Sequence, residues 1–287
     1  MEQQMKRYKA MVEEALERLT FAEGLKDELC SAMRYSLLAG GKRLRGMLAL
    51  AACEMAGGNV QDALPFAAAI EMIHAYSLIH DDLPAMDNDT MRRGKPTNHV
   101  VYGEAMAILA GDGLLTDAFL LMSGGAHPRT LDALREVARA AGSFGMVGGQ
   151  ALDMRQGAPY EGLEAVKAIH RKKTGCLITA PVVAGLMLSK ATDQQIACGR
   201  EYGKHLGVAF QIIDDLLDLV GDEAKMGKHL GKDVAEEKMT WPAMVGQESA
   251  WESAKYETNA AVKALEPFGE KAAFLRTLAQ DMLSRVN

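Results

Sequence analysis

Two stretches of this chain are apolar on nearly every side, and each runs straight into aspartates. Residues 66–80 read FAAAIEMIHAYSLIH and lead into Asp81-Asp82-Leu83-Pro84-Ala85-Met86-Asp87-Asn88-Asp89. Residues 203–213 read GKHLGVAFQII and lead into Asp214-Asp215-Leu216-Leu217-Asp218. A helix without a polar face has to be surrounded by protein. Carboxylates at its end are costly there unless something compensates their charge. Both stretches therefore need further helices packed around them, and the pattern predicts an all-α fold, one large helical bundle around a central cavity.

The rest of the chain agrees. Only 8 prolines occur, and the segments between glycines are rich in Ala, Leu, Met and Glu, which favours helices over strands. Helices are predicted at 3–20, 25–39, 44–56, 62–83, 98–122, 129–144, 161–173, 176–189, 193–220, 234–247, 249–265 and 269–285, with a loop over 221–233. No alternating run asks for a strand. At 287 residues with 48% hydrophobic content the chain can bury a large core. No linker or repeat divides it, so one domain over residues 1–287 is expected.

A net charge of -6 is wrong for a general nucleic-acid binder. Cys30, Cys53, Cys176 and Cys198 form no paired motif and sit in apolar, helix-like surroundings, as reduced core thiols do in a cytoplasmic protein. The first twenty residues lack the apolar run of a signal peptide, and no stretch reads as both long enough and free enough of charge to span a bilayer. A cytoplasmic chain with no stable membrane insertion is expected.

Helix geometry sharpens the acidic clusters. At about 100° per residue, Asp218 lies only about 40° round from Asp214, and Gln211 about 20° from Asp218. Gln211, Asp214 and Asp218 thus form a polar stripe on an apolar helix. His74 and Asp81 align in the same way, with Glu71 and Ser77 near them. Either cluster alone could be a solvated helix end. Two clusters, each closing a buried helix, instead suit a hard divalent cation such as Mg²⁺ shared with a phosphorylated ligand.

Basic groups accompany them. Gly40-Gly41-Lys42-Arg43-Leu44-Arg45 opens a helix, where backbone N–H groups and the dipole favour an anion and Lys42 and Arg45 add charge. Arg92-Arg93-Gly94-Lys95-Pro96 follows the first cluster, as Lys225, Lys228 and Lys232 follow the second. His170-Arg171-Lys172-Lys173-Thr174-Gly175 closes a helix. Gly148-Gly149-Gln150 with Asp153 reads as a tight helix–helix contact.

Taken in order from Gly40 to about Pro242, the runs GGKRLR, SLIHDDLPAMDND, RRGKPTNH, GGQALD, HRKKTG, FQIIDDLLD and GKHLGKD resemble the trans-isoprenyl diphosphate synthase family. The resemblance is nearest to bacterial farnesyl diphosphate synthases, also called geranyltranstransferases. It implies that Asp81 and Asp87, supported by Asp82, bind two Mg²⁺ ions, and that Asp214 binds a third with Asp215 and Asp218 nearby through water. Lys42, Arg45, His74 and Arg93 would hold isopentenyl diphosphate. Arg92, Lys173 and Lys228 would hold the allylic diphosphate, with Thr174 and Gln211 oxygens facing the developing cation. It also implies a homodimer. An aromatic residue five places before the first aspartate, here Tyr76, goes with short products, and Ser77 is too small to block the tunnel. That favours farnesyl over geranylgeranyl diphosphate. Two departures from the family pattern stand out: Thr90-Met91, and Lys238-Met239-Thr240-Trp241 in place of Lys-Ser-Thr-Tyr. A terpene cyclase would not need Lys42, Arg45 and Arg93, and a non-catalytic regulatory subunit would not need both aspartate clusters.

Overall fold

A computed structural model describes residues 1–19, 28–155, 157–220 and 239–284. It is an all-α bundle. The apolar stretch before Asp81 forms α4 (Val60–Asp81), started by Asn59, whose side chain accepts the Gln61 N–H. Phe66, Ile70, Met72 and Ile73 of α4 are fully buried, each contributing roughly 1.5–3 kcal/mol of hydrophobic stabilisation. Around α4 lie α3 (Leu44–Met55), α6 (Glu104–Ser123), α10 (Cys176–Met187) and α1 (Glu2–Leu19), with a lighter contact from α2 (Glu28–Leu37). The apolar stretch before Asp214 is the second half of α11 (Asp193–Val220), which packs between α10 and a late helix, Gln247–Ala264. The buried apolar cluster runs from Tyr8 to Met282.

Close approach between α10 and α11 depends on glycines four residues apart. A methyl group at Gly199, Gly203 or Gly207 would meet Leu186 Cδ1 at 2.1 Å, Thr179 Cα at 2.6 Å and Gly175 Cα at 2.7 Å respectively. This groove brings α11 against the segment that carries Lys173 and Thr174.

Several boundaries differ from the sequence reading. The helix expected over 98–122 breaks at Gly103 (φ 81°) into α5 (Asn98–Tyr102) and α6. Helices expected at 161–173 and 176–189 are continuous: α9 (Gly162–Ile169) widens into a π-turn (His170–Gly175) and passes into α10. An unforeseen helix, α8 (Met146–Asp153), and an unforeseen hairpin, Met91–Arg92 paired with Lys95–Pro96, are present. Two-residue strands carry no alternation to read, and the hairpin rests instead on Arg93 and Gly94, both at positive φ (53° and 73°), as its turn requires. Trp241–Val245 and Gln247–Ala264 are separated at Gly246. A 3₁₀ segment, Glu266–Ala272, precedes the last helix, Ala273–Leu283. The loop expected at 221–233 lies outside the described residues.

One further expectation needs correction. By length and composition α6 is apolar enough to cross a membrane. Its sequence is interrupted only by Asp112 and Asp117 after its first residue, and here it packs along α4, with His80 Nε2 3.0 Å from the Ile108 carbonyl oxygen. The cysteines are free, and burial pushes the Cys53 thiol up to about 12.

Candidate active site

A cavity of about 430 Å³ opens between α4, α8 and the π-turn. Helix α4 supplies His74, Tyr76, Ser77, Leu78 and Asp81 to its wall, α8 supplies Met146, Val147, Gln150 and Ala151, and the π-turn supplies Lys173 and Thr174. Arg45 reaches it from α3. Tyr76 lies about 140° round the helix from Asp81, yet both border this space, because its wall curves around α4. Tyr76 is buried and meets the His80 ring edge-on at 5.7 Å. Ser77 Oγ donates to the His74 carbonyl oxygen at 2.9 Å.

The first acidic cluster folds back on itself. The Asp87 N–H donates to the Asp81 carbonyl oxygen at 2.8 Å, which sets the two residues side by side. Burial raises the Asp81 carboxyl to about 6, opposed by Lys173 and reinforced by Asp87. Asp82 turns the other way. It is buried, and its oxygens accept from Arg92 Nε at 2.9 and 3.0 Å and from Arg92 Nη2 at 2.7 Å. Burial raises Asp82, and this ion pair works against the rise.

The two basic motifs meet across a smaller cavity of about 40 Å³ bordered by Arg43, His74, Asp82, Arg92 and Arg93. Arg93 donates to the Gly40 carbonyl oxygen. Gly41, at φ 128°, lies beneath that guanidinium, which a Cβ would meet at 3.1 Å. Lys42 is exposed, whereas Arg43 is buried and structural: it donates to the Leu37 carbonyl oxygen at 2.8 Å and lies 3.9 Å from Glu71. Glu71 also accepts the Gly46 N–H at 2.9 Å. Arg45 Nε is buried with no hydrogen-bond partner among the described residues, and burial lowers the Arg45 guanidinium to about 10. Burial, then the charges of Arg45, Arg93, Arg92 and Arg43, hold His74 well below the usual histidine range, so its imidazole is neutral.

Beyond the π-turn a chain of contacts leads to the second cluster. Thr174 Oγ1 donates to Gln211 Oε1 at 2.8 Å, and Gln211 Nε2 donates to Asp215 Oδ1 at 3.1 Å. Asp218 is buried, and its Oδ2 has no hydrogen-bond partner among the described residues. Asp214, partly exposed, precedes Asp215 on α11. Lys228 lies outside the described residues, as do Lys225 and Lys232. Among the described residues no three His, Cys, Asp or Glu side chains cluster closely enough to enclose a metal unaided.

Sequence reasoning took Gly148-Gly149-Gln150 and Asp153 for packing alone. Gly149 does pack: a Cβ there would sit 2.1 Å from the Lys173 nitrogen. That contact also delivers two functional groups. Asp153 Oδ2 accepts from Lys173 Nζ at 2.7 Å, and Gln150 Nε2 is buried at the cavity wall without a partner among the described residues. The available signal was the paired glycine with an amide and a carboxylate in the next turn.

Known proteins share this architecture. The crystal structure of a geranyltransferase from Legionella pneumophila matches with a TM-score of 0.87 at 34% identity, covering 100% of this chain and 97% of that one. A farnesyl diphosphate synthase of Geobacillus stearothermophilus is 45% identical over 291 residues, 99% of this chain and 97% of the relative. A geranylgeranyl diphosphate synthase of Cyanophora paradoxa is 43% identical over 284 residues, 97% of this chain and 94% of the relative. The polyprenyl synthetase family profile matches residues 26–276. With fold, sequence and motif order in agreement over nearly its whole length, this chain belongs to the polyprenyl synthetase family and is a prenyl-transferring enzyme.

Proposed function

We propose that the protein condenses isopentenyl diphosphate head to tail with dimethylallyl or geranyl diphosphate and stops at (2E,6E)-farnesyl diphosphate. The observation that carries this reading is one cavity lined by Asp81, Lys173 and Thr174 together with buried Tyr76.

The donor set fits Mg²⁺. Asp81, Asp87, Asp214 and Asp218 offer only oxygen, and Oδ2 of Asp218, which has no hydrogen-bond partner among the described residues, is available to a cation. Fewer than three clustered ligands among the described residues is what Mg²⁺ uses when phosphate oxygens and water complete its shell. When bound, the ion supplies positive charge to a departing diphosphate. The chain's own cations do the rest. Lys173, with Arg92 and Lys228, holds the allylic diphosphate, while Lys42, Arg45, Arg93 and neutral His74 hold isopentenyl diphosphate. Oxygens of Thr174 and Gln211 face the allylic carbon as positive charge grows on it. Buried Tyr76 and Met146 give the cavity apolar surface that excludes water, which would trap the cation. The proton lost at the end goes to the departing diphosphate.

Relatives of both names occur at similar identity, so product length rests on Tyr76. Incubation with isopentenyl and dimethylallyl diphosphates plus Mg²⁺, followed by chromatography of the dephosphorylated products, tests the reading. A fifteen-carbon alcohol is expected. A twenty-carbon alcohol would make the enzyme a geranylgeranyl diphosphate synthase, and a hydrocarbon a cyclase. Activity only with a second protein would make it a regulatory subunit. In this reading the whole chain is one domain and acts as a cytoplasmic homodimer. Exposed Val100 and Val101 of α5 and Ile108, Leu109 and Leu120 of α6 support the dimer, and the free cysteines suit a reducing compartment.

A further inference from the structure

Asp215 stands in an aspartate cluster, but its surroundings are not those of a metal ligand. It is 4% exposed, and both of its oxygens are engaged. Oδ2 accepts the backbone N–H of Trp241 at 2.9 Å and lies 3.3 Å from His170 Nε2. Oδ1 accepts from Gln211 Nε2 at 3.1 Å. The His170 ring is stacked on the Trp241 indole, with centroids 5.8 Å apart and planes 20° from parallel. One carboxylate therefore joins α11, the π-turn and the segment entering at Trp241. A cation drawn onto Oδ2 would compete with the buried Trp241 N–H, and one drawn onto Oδ1 would compete with the Gln211 amide, so direct coordination would weaken a buried hydrogen bond, which is costly.

The network also decides which end of the Gln211 amide faces the reaction. An ionised carboxylate only accepts hydrogen bonds. Asp215 thus draws the amide NH₂ toward itself and leaves Oε1 to face Thr174 at the cavity wall. We propose that Asp215 is a positioning residue: held by Trp241 and His170, it fixes the Gln211 amide with its oxygen toward the allylic carbon. This rests on the prenyl-transfer reading, which gives that oxygen its purpose.

Asparagine at this position separates the proposal from a metal or purely structural role. In Asp215→Asn the Asn oxygen can still accept the Trp241 N–H, but its NH₂ then faces Gln211 and favours a turned amide. Turnover is expected to fall about tenfold or more, with the Michaelis constant for the allylic substrate within about threefold and the melting temperature nearly unchanged. In a Gln211→Ala background the same change should cost less than about twofold, because Asp215 acts through Gln211. Additive losses in that background would overturn the proposal, as would wild-type turnover in Asp215→Asn alone. Calorimetric titration of Mg²⁺ in the presence of inorganic diphosphate gives a readout without turnover. Asp215→Asn should leave the affinity unchanged while Asp214→Asn weakens it, and a tenfold loss in Asp215→Asn would make Asp215 a ligand. A wild-type protein that made no prenyl product would instead refute the parent reading, and the titration would still discriminate. Should Asp215→Asn fail to fold, His170→Phe keeps a ring on Trp241 and removes Nε2, which faces Asp215, together with Nδ1, which is buried without a hydrogen-bond partner among the described residues. Lower turnover at unchanged Mg²⁺ affinity is expected there too, and wild-type turnover counts against the proposal.

Discussion

His74 shows how much one side chain owes to its neighbours. Its place in a polar stripe follows from seven-residue spacing to Asp81, but its charge state follows from burial and from Arg45, Arg93, Arg92 and Arg43 around it. In the unfolded chain it takes a proton near pH 6.5, whereas in the fold it stays neutral to lower pH. Protons are then bound preferentially by the unfolded chain, so this residue makes stability fall as pH drops through about 6.5. His74→Gln should flatten that part of the pH dependence, measured as the difference in denaturation midpoint between about pH 7.5 and about pH 5.5. A difference as large as in the wild type would show that neither burial nor the arginines depress His74. Tyr76 belongs to the same helix and the same cavity. Removing its ring should lengthen the chain the enzyme releases, with twenty-carbon alcohol rising at the expense of fifteen-carbon alcohol in Tyr76→Ala. Unaltered product lengths would remove Tyr76 as the tunnel floor. Both positions were legible in the sequence. Burial of Arg43 was not, since it depends on how the Leu37 carbonyl and Glu71 pack around its guanidinium.

Among the elements, α8 and the π-turn form the least expected unit. Eight residues with two central glycines give a weak helix signal, and a π-turn within a continuous helix has no sequence period of its own. They fit because Gly149 lets the α8 backbone approach Lys173. Gly149→Ala would force a Cβ to within 2.1 Å of the Lys173 nitrogen, so the two elements must separate. A loss of about 1–3 kcal/mol in stability is expected from such overpacking. Activity should fall further than stability does, because Lys173 and Thr174 move with the turn. Thermal melting and turnover measured on the same sample check this. Full activity in a destabilised variant would show that the contact serves the fold alone.

For the whole molecule, the exposed apolar residues of α5 and α6 carry the expectation of self-association. A single chain of 31.0 kDa should elute as a particle of twice that mass in size-exclusion chromatography with light scattering. Leu109→Glu, which puts a charge at a residue 52% exposed, should shift the population toward monomer while the isolated chain stays helical. A wild-type monomer would leave that face unexplained by a second copy. At this scale the sequence by itself determined the class of fold, the two buried helices, the carboxylates at their ends and the family. Those follow from periodicity and motif order, which are properties of neighbouring residues. Only the tertiary structure decided which way adjacent polar groups point. The sequence puts Asp215 off the stripe of Gln211, Asp214 and Asp218 but does not say what it meets; Trp241, twenty-six positions downstream, brings a backbone N–H to it. A buried donor has to be met by whichever acceptor the packing puts within reach, and local pattern holds no record of that distant claim.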